Sequence, residues 1–420
     1  MSSIRSAIAI VSYLTLFLVS WCGLVLGQEN WPEYRGPTGD GFATGANLPV
    51  EIDESRHVKW STPIHGRGWS SPVVWGNQVW MTTATDDGKR MSAICVDLKT
   101  GDVMHDKLIH ENESPRFRHP TNSYASCTPA IESGRVYLHF GSYGTSCVNT
   151  ETGEIIWQRT DLECDHFRGP GSSPILYDGK LIVAFDGFDL QYVVALDKET
   201  GKTVWKTDRD IEYGTDNGDW MKAYCTGAVF QIDGKPILVY PSAKATIAYE
   251  PGSGNPIWTV YHGGMNASAR PILTSDGLLV LTNGMGRMDA VDPRGTGDIT
   301  NSNISWTMAK NVSRRPSPIV VDGRIYMFND KGIATCVDAK NGELVWQKRI
   351  GGSFAASPIY DGEKILAFSE QGEIYAFQPG EKMIQRGKSK LGDGFKASPA
   401  VVGDVLILRS VSTLYCISND

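Results

Sequence analysis

Short apolar runs recur along the chain and are separated by turns rich in glycine, aspartate and asparagine. Leu181–Phe185 and Leu278–Leu281 are continuously apolar over four or five residues, which is typical of buried strands. Turn pairs such as Asp178-Gly179 and Asp322-Gly323 precede runs of this kind, and these pairs favour tight hairpin turns. The pattern therefore predicts short antiparallel strands throughout most of the chain.

One eleven-residue element recurs. Its clearest copy runs from Ala195 to Trp205 as Ala-Leu-Asp-Lys-Glu-Thr-Gly-Lys-Thr-Val-Trp, and similar copies run from Cys147 to Trp157 and from Cys336 to Trp346. Each copy predicts a strand, a tight turn containing Asp or Asn and Gly, and a second strand that ends in tryptophan. Weaker copies run from Cys95 to His105, from Ala248 to Trp258 and, with an insertion, from Ala290 to Trp306.

A second element precedes each copy of the first. It opens with Ser-Pro or a relative and continues as a strand, an Asp-Gly-like turn and another strand. The openings are Ser71-Pro72, Thr128-Pro129, Ser173-Pro174, Thr226-Gly227, Arg270-Pro271, Ser317-Pro318, Ser357-Pro358 and Ser398-Pro399. They lie between 40 and 57 residues apart, so the chain contains eight units of four short strands.

Units of this length with four strands each are typical of a β-propeller. The eighth unit ends at Asp420 one strand short, and a matching outer strand occurs at His57–Thr62. A solenoid would not need this complement, whereas pairing the N-terminal strand with the last unit removes an open edge. We therefore predict an all-β fold, an eight-bladed β-propeller of four-stranded antiparallel blades whose ring is closed by an N-terminal strand.

The start of the chain has the composition of an export signal. Arg5 is the only charged residue in the first 27, and the stretch from Ala7 to Leu18 is largely apolar. These features predict a signal peptide over residues 1–27. We expect cleavage, export to the periplasm or secretion, and no transmembrane segment in the mature chain; a retained membrane anchor is the alternative.

The predicted signal peptide leaves an N-terminal extension over residues 28–54 and the propeller over residues 55–420. Cys22 suggests lipid attachment, but Trp21 stands directly before it, where a small residue is needed. We therefore do not expect a lipoprotein.

Composition narrows the class of protein. Hydrophobic residues make up 41% of the chain and aromatic residues 10%, which excludes a disordered chain. The formal net charge is −7, and loss of Arg5 makes it −8 because 39 basic residues then stand against 47 acidic ones. No nucleic-acid partner is expected, because such proteins need basic surfaces to neutralise phosphates.

The cysteines carry no metal or redox motif. Seven remain after the predicted cleavage, widely spaced and without a Cys-x-x-Cys pair. The spacing therefore indicates neither a cysteine metal site nor a redox motif. Four of them occupy equivalent positions in the repeats, where a small apolar residue belongs, and we expect buried free thiols there. These four are Cys95, Cys147, Cys336 and Cys416.

The pattern Ala-x-Asp-x-x-Thr-Gly-Lys-x-x-Trp resembles the tryptophan-docking motif of the pyrroloquinoline-quinone (PQQ) repeat propellers. Residues 195–205 match every specified position, and other copies match with substitutions such as Cys at 147 and 336. The resemblance covers residues 55–420, and residues 31–41 resemble the start of mature exported PQQ-like repeat proteins.

This resemblance implies structural roles for the recurring tryptophans, which would pack between neighbouring blades: Trp157, Trp205, Trp258, Trp306 and Trp346. The family includes calcium-dependent quinoprotein dehydrogenases of alcohols and sugars. It also includes the B component of the outer-membrane barrel-assembly machinery, which is a non-catalytic scaffold.

The candidate site lies in the segments that join the outer strand of one unit to the inner strand of the next, which we call connectors. In a propeller they surround the central channel on one face, and here they are rich in cationic, histidine and aromatic residues. The candidate ligand-binding residues are Arg67, Trp69, Arg118, His119, Asn122, Tyr124, Asp165, His166, Arg168, Asp219, Trp220, Lys222, His262, Asn266, Arg270, Arg315 and Lys396.

Converging guanidinium, imidazole and aromatic groups suit an anionic or polyhydroxylated ligand. We therefore predict a non-catalytic binding or scaffold protein, monomeric and without cofactor, that holds a protein, a polysaccharide or a small anionic ligand at the connector face. The alternative to a ligand site is that the loops are polar only because they are exposed, and that their arginines pair with neighbouring acids such as Asp161 and Asp219.

An oxidoreductase dependent on PQQ and calcium is the alternative function. Asp165, Asp219, Asn122 and Asn266 could supply its base and calcium ligands. Against it, no calcium loop stands out and the adjacent Cys-Cys disulfide of many alcohol-oxidising members is absent. Asp165 and His166 could be an acid/base pair, although a loop ion pair is the favoured explanation. No catalytic residue and no metal site is assigned.

Overall fold

The computed structural model describes residues 29–419, so the predicted signal peptide and Cys22 lie outside the described residues. The described chain is almost entirely β-structure, with two one-turn helices, α1 (Glu54–His57) and α2 (Thr300–Asn303), and a 3₁₀ turn at Gly218–Trp220. The strands are β1 Val58–Pro63, β2 Val73–Trp75, β3 Gln78–Ala84, β4 Arg90–Asp97, β5 Val103–Glu111, β6 Ala130–Glu132, β7 Arg135–His139, β8 Thr145–Asn149, β9 Ile155–Arg159, β10 Ile175–Tyr177, β11 Lys180–Asp186, β12 Gln191–Asp197, β13 Thr203–Asp208, β14 Ala228–Ile232, β15 Lys235–Pro241, β16 Ala245–Tyr249, β17 Pro256–Tyr261, β18 Ile272–Leu273, β19 Leu279–Thr282, β20 Met288–Val291, β21 Gly297–Asp298, β22 Ile304–Met308, β23 Ile319–Val321, β24 Arg324–Phe328, β25 Ile333–Asp338, β26 Leu344–Arg349, β27 Ile359–Tyr360, β28 Ile365–Phe368, β29 Glu373–Gln378, β30 Ile384–Lys390, β31 Ala400–Val402, β32 Val405–Arg409 and β33 Thr413–Ile417.

These strands form eight sheets whose blade strands run antiparallel, and in the first seven the chain proceeds from the inner to the outer edge. In blade 4 the short strand β21 adds a fifth, parallel strand outside β17. The blades are, in order, β2–β5, β6–β9, β10–β13, β14–β17 with β21, β18–β20 with β22, β23–β26, β27–β30, and β31–β33 with β1. The predicted eight-bladed propeller is confirmed.

Strand β1 closes the ring. It pairs antiparallel with β33, with Ser61 opposite Tyr415 and Thr62 opposite Leu414, and so becomes the outer strand of blade 8. The predicted closure by an N-terminal strand is therefore confirmed. The prediction began this strand at His57, but His57 ends α1, which Asp53 caps by accepting a hydrogen bond from the Ser55 backbone N–H.

The hydrophobic core lies between blades. Each buried cluster draws on the facing surfaces of neighbouring blades, as where Tyr137 of blade 2 packs in one cluster with Phe185 of blade 3. Such clusters occur at all eight blade interfaces. The inner strands are consequently buried on both faces, which explains their continuously apolar sequences.

Several tryptophans join one blade to the next. Trp157 donates its indole N–H to the Lys198 carbonyl, 2.9 Å away, and a Cβ on Gly201 would lie 2.7 Å from its ring. Trp60, Trp205, Trp306 and Trp346 donate in the same way to carbonyls of Leu98, Pro251, Ala339 and Gly380.

Trp258 differs from these tryptophans. Its indole nitrogen is buried and has no hydrogen-bond partner among residues 29–419. The turn it would reach is expanded by an insertion that carries β21 and α2.

The extension ahead of the blades crosses the central channel. Trp31 pairs with Val74 on the inner strand of blade 1, and the Pro32 carbonyl accepts from the Ile131 N–H of blade 2. Farther along, Arg35 donates to the Ser317 carbonyl of blade 6 and Phe42 bridges to blade 7. We call residues 31–42 the crossing segment.

Two further properties bear on function. The seven described cysteines are all buried and unpaired, which confirms the expectation for the four repeat positions. Among residues 29–419, no helix has the length and apolar character needed to span a bilayer.

Candidate functional site

A pocket of about 640 Å³ occupies the mouth of the central channel on the connector face. We call it the axial pocket. Every one of the eight connectors contributes to its lining, through Trp69, His119, Arg168, Tyr224, Asn266, Arg315, Ala355 and Lys396. The connectors thus converge on one cavity, whose size is that of a small-molecule site.

Tyr34 of the crossing segment also lines the axial pocket. Its hydroxyl lies 2.9 Å from Ser357 Oγ and 3.5 Å from Ser317 Oγ. Sequence reasoning missed Tyr34, since it lies outside the repeats. The crossing segment is rich in aromatic, arginine and glycine residues although it shows no strand pattern, and this composition could have indicated that it packs against the ring.

The opening residues of the units form a hydrogen-bonded ring around the channel. Seven of the eight carry a side-chain hydroxyl, and a backbone N–H of one unit donates to the hydroxyl of the next. The bonds run from Ser71 to Thr128 (3.0 Å), Thr128 to Ser173 (2.9 Å), Ser173 to Thr226 (3.0 Å), Arg270 to Ser317 (2.9 Å), Ser317 to Ser357 (2.9 Å), Ser357 to Ser398 (2.9 Å) and Ser398 to Ser71 (3.0 Å). The ring is interrupted between Thr226 and Arg270, because arginine supplies no hydroxyl.

Seven of the seventeen predicted residues line the axial pocket: Trp69, His119, Asn122, Arg168, Asn266, Arg315 and Lys396. Trp69 stands between two cations, with the Arg67 guanidinium carbon and Lys396 Nζ each 4.9 Å from its ring centroid. This geometry favours cation–π attraction. Whether these residues bind a ligand stays a prediction.

Arg168 and Asp219 form a bidentate pair, with Nε and Nη2 each 2.5 Å from a carboxylate oxygen. The hydrogen bonds that Arg168 donates to Asp219 raise the pKa of Arg168. Asn122 donates its amide to the carbonyls of Arg168 and Pro170. These contacts hold together the connectors that lead into blades 2, 3 and 4.

Glu370, which the sequence did not single out, binds two predicted cations. Arg315 Nη2 lies 2.6 Å from one carboxylate oxygen and Lys396 Nζ 3.2 Å from the other. Burial raises the pKa of Glu370, but the two positive charges outweigh burial and leave the pKa below its ordinary value. Neighbouring Arg314 lines the same pocket, and within residues 29–419 it has no ion-pair or hydrogen-bond partner.

Other predicted residues lie outside the pocket lining, at the rim beside blade 1. Arg67 and Arg118 both approach the Asp86 carboxylate, at 3.6 and 3.3 Å. Tyr124 is buried and donates its hydroxyl to the Arg116 carbonyl, 2.7 Å away. The contacts of these three residues hold the connector that leads into blade 2 against blade 1.

The side chains of Asp165 and His166 lie in different environments. The Asp165 carboxylate accepts from the Phe167 backbone N–H at 2.9 Å, whereas the His166 ring is buried. No hydrogen bond joins the two side chains in the described part of the chain, so the suggested acid/base pair is not assembled. Trp220 is partly exposed, with Lys244 Nζ 5.7 Å from its ring centroid.

His166 and Lys222 face each other in the interior. Lys222 Nζ lies 3.2 Å from His166 Nδ1 and 2.8 Å from the Asp186 carbonyl. Burial lowers the pKa of Lys222. Burial, and then the Lys222 charge, lower the pKa of His166 well below its ordinary value, so His166 is neutral and accepts the hydrogen bond.

His262 and Arg270 are also buried. His262 Nε2 lies 3.0 Å from Thr246 Oγ1 inside blade 4. Arg270 donates to the Tyr34 carbonyl at 2.5 Å and to Glu33 Oε1 at 2.7 Å. Arg270 therefore holds the crossing segment.

The residues of the axial pocket do not fit a calcium-bound quinone. Calcium needs several carboxylate and carbonyl oxygens, and Asp330 is the one carboxylate in the lining. The Asn122 amide oxygen already accepts from the Ser123 N–H and Ser126 Oγ. Among residues 29–419, no cluster of three or more His, Cys, Asp or Glu side chains could hold a metal ion.

An eight-bladed propeller with a cavity at the mouth of its channel is the class of protein that these observations define. A family model described as "Outer membrane protein assembly factor BamB" matches residues 42–161 and 189–420. The chain belongs to this family.

Curated relatives carry the same description. The chain is 25% identical over 263 residues to the outer membrane protein assembly factor BamB of Moranella endobia (strain PCIT), covering 59% of this chain and 60% of that protein. It is 26% identical over 210 residues to BamB of Legionella pneumophila (strain Paris), covering 48% and 49%. The chain thus spans at most 60% of the length of these relatives.

Solved structures share the fold at low identity. A europium-containing methanol dehydrogenase has a TM-score of 0.71 at 13% identity, covering 92% of this chain and 90% of that one. BamB from Moraxella catarrhalis has a TM-score of 0.60 at 12% identity, covering 86% and 99%. The quinohemoprotein alcohol dehydrogenase from Comamonas testosteroni has a TM-score of 0.66 at 11% identity, covering 93% and 80%.

Proposed function

We propose that the protein is an exported, non-catalytic binding scaffold that holds a ligand or partner at its connector face. The observation that carries this proposal is the convergence of all eight connectors on the axial pocket. A rigid ring with every connector directed to one cavity suits recognition, because the donor groups are positioned before binding.

The partner class follows from the family. Relatives described as outer membrane protein assembly factors favour a protein partner in that assembly, and the pocket itself suits a small anionic or polysaccharide ligand. Nucleic acid is not proposed, since carboxylates such as Asp86 and Glu370 stand among the cations of this face. The proposal includes a monomer that acts in the periplasm or after secretion, once residues 1–27 are removed.

The alternative is a PQQ- and calcium-dependent oxidoreductase acting on an alcohol or sugar. The fold is shared with enzymes of that type, but a fold is compatible with many functions. The poor calcium donor set of the pocket argues against it.

Reconstitution separates the two functions. The mature chain is incubated with PQQ and calcium, and absorbance and dye-linked oxidation of alcohols and sugars are measured. We expect neither a bound-quinone spectrum nor turnover. Turnover would replace the scaffold proposal with the oxidoreductase.

Complementation tests the scaffold role directly. In a strain that lacks the gene, outer-membrane protein content is measured after expression of the wild type, Arg314→Glu or Lys340→Glu. Arg314 lies on the connector face, whereas Lys340 is exposed in a turn between β25 and β26 on the opposite face. Arg314→Glu should fail while Lys340→Glu succeeds. Equal restoration by both variants, or no defect in the deletion strain, would contradict the proposal.

A further inference from the structure

Five hydroxyls of the hydrogen-bonded ring lie on a continuous arc from blade 8 to blade 4 and line the axial pocket. We call these residues the hydroxyl collar: Ser398, Ser71, Thr128, Ser173 and Thr226. Each side chain is more than nine-tenths buried. The other two hydroxyls of the ring, those of Ser317 and Ser357, face Tyr34 instead.

Each collar hydroxyl accepts a backbone hydrogen bond but does not donate one. Ser398 accepts from the Ser357 N–H, Ser71 from Ser398, Thr128 from Ser71, Ser173 from Thr128, and Thr226 from Ser173. Within residues 29–419 no acceptor takes any of the five hydroxyl protons. The collar therefore directs unused donors toward the pocket, and a buried donor without an acceptor is costly.

The charges near the collar favour an anion. The lining contains the cations Arg168, Arg314, Arg315 and Lys396 and the carboxylate Asp330. Asp219 and Glu370, just behind the lining, pair with three of those cations. In the described part of the chain Arg314 remains without an ion pair, and these four cations and three carboxylates together carry one net positive charge.

Water could accept these hydrogen bonds too, but it carries no negative charge to offset the unpaired guanidinium. A neutral sugar needs acceptors as well as donors, whereas the collar offers donors next to a cation. Carboxylate and phosphate oxygens accept several hydrogen bonds at once and pair with guanidinium. The pocket volume of about 640 Å³ exceeds what one such group fills, which leaves room for an organic remainder between the connectors.

We propose that the axial pocket binds a small organic oxyanion, whose carboxylate or phosphate group accepts hydrogen bonds from the hydroxyl collar and pairs with Arg314. This inference rests on the proposed binding function and names the chemistry of its ligand. Thr128 and Arg314 are the residues whose removal tests it, one from the collar and one from the cation set.

Isothermal titration calorimetry of the mature chain provides the test. The probes are inorganic phosphate, citrate and D-glucuronate at constant ionic strength, with D-glucose as the neutral control. Phosphate distinguishes a phosphate ligand from the two carboxylates. We expect saturable binding of at least one oxyanion and none of glucose.

The variants locate the binding. Arg314→Gln and Thr128→Val should each weaken oxyanion binding about ten- to hundredfold, as expected for loss of a charge-assisted hydrogen bond. Thr128→Ser keeps the hydroxyl and Lys340→Gln removes a distant cation, so both should bind as the wild type does. Asp330→Asn removes the lining carboxylate and should tighten binding. Circular dichroism confirms that each variant is folded; within residues 29–419 the Arg314 side chain has no hydrogen bond or ion pair that its substitution would break.

Three outcomes would overturn the inference: no binding of any oxyanion, equal binding of glucose, or unchanged affinity in both Arg314→Gln and Thr128→Val. The proposed function fails separately, through quinone turnover or through restoration of outer-membrane protein content by Arg314→Glu. A protein partner at the connector face without oxyanion binding would remove the inference alone.

Discussion

Arg270 Nη2 lies 2.7 Å from Glu33 Oε1, and this ion pair joins the buried Arg270 of blade 5 to the partly buried Glu33 of the crossing segment. Arg270 is the one residue among the eight unit openings whose side chain has no hydroxyl group. Its side chain therefore accepts no backbone hydrogen bond in the ring, and it binds the crossing segment instead.

Arg270→Ala should destabilise the protein. Removal of the guanidinium leaves the partly buried Glu33 carboxylate and the Tyr34 carbonyl without their donor, which costs about 1–3 kcal/mol. Urea or thermal unfolding measures the change. Arg386→Ala, which removes an exposed arginine on β30, is the matched control and should change stability by less than about 0.5 kcal/mol. Similar stability of the two variants would show that the crossing segment does not depend on this pair.

Two glycines with the same backbone conformation should respond differently to alanine. Gly234 and Gly254 have φ values of 77° and 76°. A Cβ on Gly234 meets nothing within 4 Å, whereas a Cβ on Gly254 would lie 2.5 Å from the Trp205 ring. Gly234→Ala should cost about 1–2 kcal/mol for the left-handed conformation alone, and Gly254→Ala a further 1–3 kcal/mol or so for overpacking. Unfolding free energies check the difference, and equal losses would contradict the close packing of Trp205.

Buried histidines should make the protein sensitive to acid. Burial lowers the pKa of His110 to about 4 and, together with the charges of His110 and Lys222, that of His139 to about 3. The unfolded histidine takes up a proton near pH 6.5, so as pH falls from 6.5 toward 4 the unfolded state gains protons that the folded state does not. Stability should therefore fall across this window, by about 3 kcal/mol for His110 alone at its lower end.

The variant His110→Gln removes one of these imidazoles. Its melting temperature should depend less steeply on pH between 6.5 and 4 than that of the wild type. His65→Gln is the control, because His65 is half exposed on the surface beside Asp106. An unchanged slope in His110→Gln would show that His110 does not contribute to the acid sensitivity.

Thiol labelling should separate the folded from the unfolded state. All seven described cysteines are buried and unpaired, and burial raises the pKa of thiols such as Cys127 and Cys164 to about 12. The folded mature chain should react negligibly with a thiol reagent, and seven thiols should react after denaturation. Fewer than seven would reveal disulfides that form in the isolated protein.

Repetition made the fold predictable. Eight openings with Ser-Pro or a relative, each followed by turn pairs such as Asp322-Gly323, determine strand number and order without any knowledge of contacts. Closure was predictable for the same reason, since β1 completes a unit that lacked a strand. The crossing segment was not, because Tyr34 and Arg35 make contacts with distant inner strands that no local pattern encodes.

The site was predictable in location more than in detail. Connector position alone placed His119, Arg315 and Lys396 around the channel. It could not show which side chains turn inward, as Lys222 does toward His166, because that depends on packing between connectors. The sequence does show the recurring hydroxyl residue before proline. That these hydroxyls form a collar could be recognised only from the ring of hydrogen bonds in the structure.

The pairing of β1 with β33 also sets an order of assembly. These strands are separated by roughly 350 residues, and joining the ends of so long a loop is entropically costly and slow. Blades 1 to 7 can form as their own strands emerge, whereas blade 8 must wait for β33 to reach β1. Completion of the ring, and with it the axial pocket, is therefore a late event in folding.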